Sequence, residues 1–130
     1  MEYISLLFLL GRILFGGFFV MSAFKHFSKT DMLAGYAVSK GVKSGKFAVL
    51  FTGLLLLIGG LGIILGVYVQ LAVATLVLFL VPVSFMMHAF WKDTDANMKM
   101  MNMINFNKNM ALVGATLMAL MITMPWPFSL

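Results

Sequence analysis

The sequence contains no cysteine. Disulfides, thiolate catalysis and cysteine-ligated metals are thereby excluded, whatever the compartment. Charge is scarce too. Charged residues make up 10% of the 130 positions, where a soluble domain carries about 25%. Only four residues are acidic: Glu2, Asp31, Asp93 and Asp95. None lies inside a long apolar run, so no carboxylate is available there for acid–base work or for pairing with a cation. Polar side chains are too few to coat a water-exposed surface.

Apolar residues fill the gap. They make up 62% of the chain, and the mean hydropathy is +1.05. They are gathered into blocks. A membrane-crossing helix needs about 20 mostly apolar residues to traverse ~30 Å of hydrocarbon. Four blocks reach that length, at residues 3–24, 47–69, 71–91 and 105–124. The second and third are separated only by a tight turn near Tyr68–Gln70. The expected fold is all-α, an integral membrane four-helix bundle in one transmembrane domain over residues 1–130. The first block is expected to be retained rather than cleaved, because it lacks a basic start and carries a charge in its middle.

The connection between the first two spans predicts a short interfacial helix. Thr30 or Asp31 would cap its start, and Gly41 would end it. Thr94 or Asp95 would cap the helix that carries the fourth block. Eight lysines fall in the two long connections: Lys25, Lys29, Lys40, Lys43 and Lys46 in the first, Lys92, Lys99 and Lys108 in the second. With four spans, both connections lie on one side, which the positive-inside rule assigns to the cytoplasm, with both termini outside. The net charge of +5 then describes attraction to anionic lipid rather than to nucleic acid.

Arg12 stands out within "LLGRILFGGFF". A central arginine costs about 3 kcal/mol on insertion-derived scales. The thirteen Leu, Ile, Phe and Val residues from Tyr3 to Phe24 return roughly 5 kcal/mol at about 0.4 each. The helix inserts, and Arg12 is expected to face the protein interior. Ser5, Arg12, Gly16 and Ala23 share one helical stripe. Other blocks offer small or polar stripes: Thr52, Gly59, Gly62 and Gly66; Gln70, Ser84 and His88; Asn102, Asn105, Asn109, Thr116 and Thr123. These predict an inward-opening polar pocket with Arg12 at its floor. His26 and His88 stand at one depth, which would permit haem ligation. The run Met98, Met100, Met101 and Met103 would suit Cu(I), but thirteen methionines spread over the chain fit general use as an adaptable hydrophobe. No metal site is expected.

"GRILFGGFFVMSAFKHF", "YAVSKGV", "HAFWKDTD" and "NFNKNMALVGATL", in that order, resemble the DoxX family of small four-helix membrane proteins. The chain departs from the family pattern at Lys43, where many members have proline, and at Thr52, where many have glutamate. The resemblance implies a multi-pass protein of a prokaryotic plasma membrane and a redox- or quinone-associated subunit, since the family is named after a subunit of a thiosulfate:quinone oxidoreductase. It assigns no catalytic residue. The candidate ligand-binding positions are Arg12, His88, Trp91, Lys108 and Asn109. No intrinsic cofactor is expected. A bound quinone or lipid, membrane lipids and a redox partner protein are the expected associates. The alternative is a non-catalytic membrane protein that binds a lipid or small apolar molecule, or scaffolds a partner.

Overall fold

A computed structural model describes residues Met1–Leu130. The chain is all-helical, with five α-helices and no strand. They are α1 (Glu2–Ser28), α2 (Thr30–Ser39), α3 (Gly45–Leu65), α4 (Val69–Met87) and α5 (Ala96–Met118). Short 3₁₀ turns follow α4 at Phe90–Lys92 and α5 at Ala119–Met121. In hydrocarbon a helix satisfies every internal backbone group within its own segment, which suits these apolar blocks.

Three segments are long and apolar enough to cross a membrane: Glu2–Ser28, Gly45–Leu65 and Val69–Lys92. α5, which carries the expected fourth block, is not among them. Five asparagines, Lys99 and Lys108 lower the hydropathy of α5, and helical structure ends at Met121, before Pro125 and Pro127.

The helices pack in the order α1, α3, α4, α5, with α2 across the start of α3. Glycines set the approach. A Cβ on Gly16 would lie 2.6 Å from the Gly60 carbonyl oxygen, and one on Gly60 would lie 2.8 Å from that of Gly16. The α1 and α3 backbones therefore touch. One residue along, Gly59 admits Leu76 and Thr75 of α4, and Gly62 admits Ala72. The expected stripe thus faces α4 through Gly59 and Gly62, and Gly60, which lies off it, serves α1. Gly66 is not part of a helix–helix contact of this kind. It ends α3 in the left-handed conformation, at φ 71°. Tyr68 also has positive φ, and the α3–α4 turn is Gly66–Tyr68.

Local signals fared differently. Gly41, at φ 94°, follows the end of α2 as expected. Asp95 caps α5 by accepting from the Met98 N–H. Neither Thr30 nor Asp31 caps α2. The Thr30 hydroxyl instead donates back to the carbonyl of His26 at 2.7 Å, which ties α2 to the end of α1.

The core lies where α1, α3 and α4 meet, around Phe19, Ala23, Leu56, Ile63, Leu76 and Leu80, and Trp126 of the terminal segment joins it. On the remaining side α1 and α5 flank an open groove.

Candidate functional site

Arg12 is 2% exposed. Its Nε donates to the Ile63 carbonyl at 3.1 Å and Nη2 to Ile64 at 2.5 Å. Nη1 donates to the Pro127 carbonyl, and Nη2 reaches that of Phe128 at 3.5 Å. The guanidinium carbon lies 5.6 Å from the ring centroids of both Phe8 and Trp126.

This arrangement has a simple cause. An α-helix leaves its last four carbonyls without helical donors. In α3 these belong to Gly62, Ile63, Ile64 and Leu65. Gly62 accepts from the Gly66 and Val67 N–H groups, and Leu65 accepts from the Leu130 N–H. Arg12 supplies the other two. A cation at a helix C-terminus also meets the negative end of the helix dipole. Arg12 therefore closes α3 and fastens the terminal segment over it. It lies at the α3–α4 turn end of the molecule, not at the floor of a cavity opening from the other end.

The lysine-bearing end holds a separate cavity of about 370 Å³ between α1, α2, α3 and α4. Its lining is mostly apolar, with Leu33, Val49, Phe79 and Pro82 among the walls. Four side chains bring polar atoms: His26, Tyr36, Thr52 and His88. The Thr52 hydroxyl donates to the Ala48 carbonyl at 2.7 Å, so its proton is committed.

Both imidazoles are oriented by a single contact. His26 Nδ1 lies 2.8 Å from the Ser22 carbonyl oxygen. A carbonyl only accepts, so Nδ1 carries the proton. His88 Nδ1 lies 3.3 Å from Asn102 Oδ1, and Asn102 Nδ2 donates to Asp93 at 2.7 Å. Anchored by the carboxylate, the amide turns its oxygen to His88 and assigns the proton there to Nδ1 as well. In the neutral form each ring keeps Nε2 as a free acceptor; once protonated, each becomes a donor. Sequence reasoning singled out His88 but missed Asp93 as the group that fixes its orientation, and it left His26, Tyr36 and Thr52 out of the candidate ligand-binding positions. The helical stripe that put Asn102 beside His88's depth was the available signal.

The remaining candidates lie elsewhere. Trp91 belongs to an aromatic cluster with Phe85, Phe90 and Phe106, whose ring centroids lie 5.2–5.9 Å from its own. Lys108 projects from α5, its ammonium 5.5 Å from the Phe18 ring centroid. Asn109 is buried in α5, on the stripe that includes Asn102 and Thr116. The five candidates thus occupy separate surroundings, and of them only His88 lines the cavity. No three His, Asp or Glu residues gather in a group suited to a metal ion.

Three apolar helices of membrane-crossing length, close-packed through glycine and closed by a buried arginine, define a small all-helical membrane protein. The DoxX family model matches residues 7–89, more than half of the chain, and the protein belongs to the DoxX family. No curated protein and no solved structure gives a significant match. The matched segment contains Arg12 and all the residues that line the cavity. It ends before Trp91, Lys108 and Asn109.

Proposed function

We propose that this protein is a redox-associated membrane subunit that holds a quinone or quinol headgroup in the cavity beneath α2. The observation that carries the reading is the pair of imidazoles, each with its Nδ1 proton committed and its Nε2 free, in the lining of a mostly apolar chamber. A neutral Nε2 accepts the O–H of a quinol, and a protonated one donates to a quinone carbonyl. The same two rings thus suit both oxidation states, and the apolar walls suit the ring and tail. Without cysteine or a cluster of metal ligands, the chain's own residues offer no electron store. Electrons would come from a partner protein.

In this reading α5 serves as the fourth span, with its Asn-rich face turned to α4. The lysine-bearing end faces the cytoplasm of a prokaryotic cell and both termini face outward. A second reading, non-catalytic binding of a lipid or small apolar molecule, draws on the predominantly apolar walls.

The test is binding of a short-chain quinone to protein in lipid nanodiscs. His88→Ala and the cavity-filling Ala48→Trp should both weaken it, and Lys43→Ala should not. Equal binding by all three variants and the parent would overturn the quinone assignment. Weakening by Ala48→Trp alone would favour the apolar-ligand reading.

A further inference from the structure

Pro82 stands inside α4, within the apolar segment Val69–Lys92, and lines the cavity beneath α2. It has no N–H, so the carbonyl four residues back, that of Leu78, loses its helical donor. In hydrocarbon such a group takes a donor from a neighbouring side chain or stands unpaired at a cost. No side chain supplies one. The hydroxyls of α4 and of the facing α3 wall are spent within their own helices: Thr75 donates to Ala72, Ser84 to Leu80 and Thr52 to Ala48. No turn or loop N–H reaches the Leu78 oxygen either. Leu78 and Pro82 are one turn apart and both line the cavity, so the carbonyl between them lies along that wall.

Two further acceptors stand at the same level. His26 packs edge-on against Phe79, the residue after Leu78, with ring centroids 5.9 Å apart. Thr52 precedes Gly53, where an added Cβ would lie 3.0 Å from the His26 Cβ. Thr52 has committed its proton to Ala48 and keeps its lone pairs, and a neutral His26 keeps Nε2. With the imidazole neutral, this part of the cavity offers three acceptors and no donor. The one lining hydroxyl free to donate, that of Tyr36, is carried by α2.

We propose that the cavity selects the reduced, O–H-bearing form of its ligand, a quinol over the matching quinone, and that the Leu78 main-chain carbonyl, freed by Pro82, is the acceptor that sets the preference. A quinol hydroxyl placed there donates to an oxygen that has no other partner. A quinone carbonyl placed there meets only lone pairs and leaves the Leu78 oxygen unpaired. The imidazoles can answer either form by changing protonation. A main-chain carbonyl and a committed threonine cannot. Preference for the quinol makes the bound couple easier to reduce, by about 30 mV for each tenfold in a two-electron couple. The inference rests on the quinone reading of the cavity and adds the oxidation state that the cavity holds.

The experiment titrates the protein in lipid nanodiscs, anaerobically at pH 8.5, where an imidazole is neutral. The probes are a short-chain ubiquinone, its quinol and the dimethyl ether of that quinol, which has no O–H. The parent should bind the quinol about fivefold tighter than the quinone, the equivalent of one net hydrogen bond, and the ether no better than the quinone. Pro82→Ala returns an N–H to the Leu78 carbonyl and favours the helix. It should bring the quinol down to the level of the quinone and leave quinone binding unchanged. Thr52→Val removes a second acceptor without touching α4 and should lower the preference as well, while Lys43→Ala should keep it. Quinone bound at least as tightly as quinol by the parent would overturn the selectivity and leave the quinone cavity standing. Binding of none of the three probes would remove both. Full preference in Pro82→Ala would take the Leu78 carbonyl out of the site, and full preference in Thr52→Val would overturn the acceptor cluster.

Discussion

Arg12 and Ile63 are separated by fifty-one residues and joined by a 3.1 Å hydrogen bond from the guanidinium Nε to a main-chain oxygen. The bond turns a costly intramembrane charge into the missing end of another helix. An isolated arginine would have to find water or lipid phosphate. Here four carbonyls and two aromatic faces surround it.

Arg12→Leu should therefore destabilise the protein, although it removes an insertion cost of about 3 kcal/mol. Each carbonyl left unpaired costs roughly 1–3 kcal/mol, and two in α3 and two in the terminal segment lose their donor. Arg12→Lys should fall between parent and leucine variant, because one ammonium cannot span the fork of acceptors. Thermal melting in detergent, with limited proteolysis of residues 122–130, checks both parts. A leucine variant with a higher Tm than the parent and a protected terminal segment would refute the capping role.

Glycine substitutions should separate by face. Gly60→Ala places a methyl against the Gly16 carbonyl and the Val20 backbone and should cost about 1–3 kcal/mol, as overpacking does. Gly11→Ala meets nothing and should be neutral or gain up to about 1 kcal/mol from helix propensity. Comparable Tm losses in the two variants would contradict the packing described.

The proposed sidedness rests on the lysines. The chain has no cysteine, so single thiols report cleanly. Met121→Cys, at an 86% exposed position, should react with an impermeant maleimide on intact cells, and Ser44→Cys should react only after lysis. The reverse pattern would invert the proposed orientation.

Asn102 is a positioning residue for His88. Asn102→Leu should weaken quinone binding as His88→Ala does, with the helical content unchanged. Asn102→Asp, which keeps an oxygen acceptor for Nδ1, should recover part of it. Circular dichroism and the nanodisc assay together distinguish loss of orientation from loss of fold, and full binding by Asn102→Leu would remove the residue from the site.

Much of the architecture is legible in the sequence because it depends on segment-wide properties. The blocks that became α1, α3 and α4 announce themselves by length and hydropathy. Arg12, Gly16 and Ala23 are buried together, as their spacing predicts. Gly41 and Asp95 act within a few residues of themselves, so their roles can also be read locally. The partners of Arg12 cannot. They are main-chain oxygens, which every residue possesses, and they lie 51 to 116 positions away. Adjacent Gly59 and Gly60 look like one flexible spot, yet each serves a different neighbouring helix. An inward-opening pocket is predicted, but its actual walls are not legible, for a related reason. Its walls come from four helices, and its polar atoms belong to residues that look interfacial when taken one at a time.

The closure of α3 has a bearing on the order of biosynthesis. Its last turn draws donors from residue 12, already made when α3 forms, and from residue 130, made after every helix described here. The Leu65 carbonyl thus waits for residue 130 while α4 and α5 leave the ribosome. The assembling chain must hold that end in the wet, polar environment of the insertion machinery or the membrane surface, where water can stand in for the missing N–H. Synthesis of the segment around residue 130, rather than insertion of the last helix, then becomes the event that lets this end of the molecule settle.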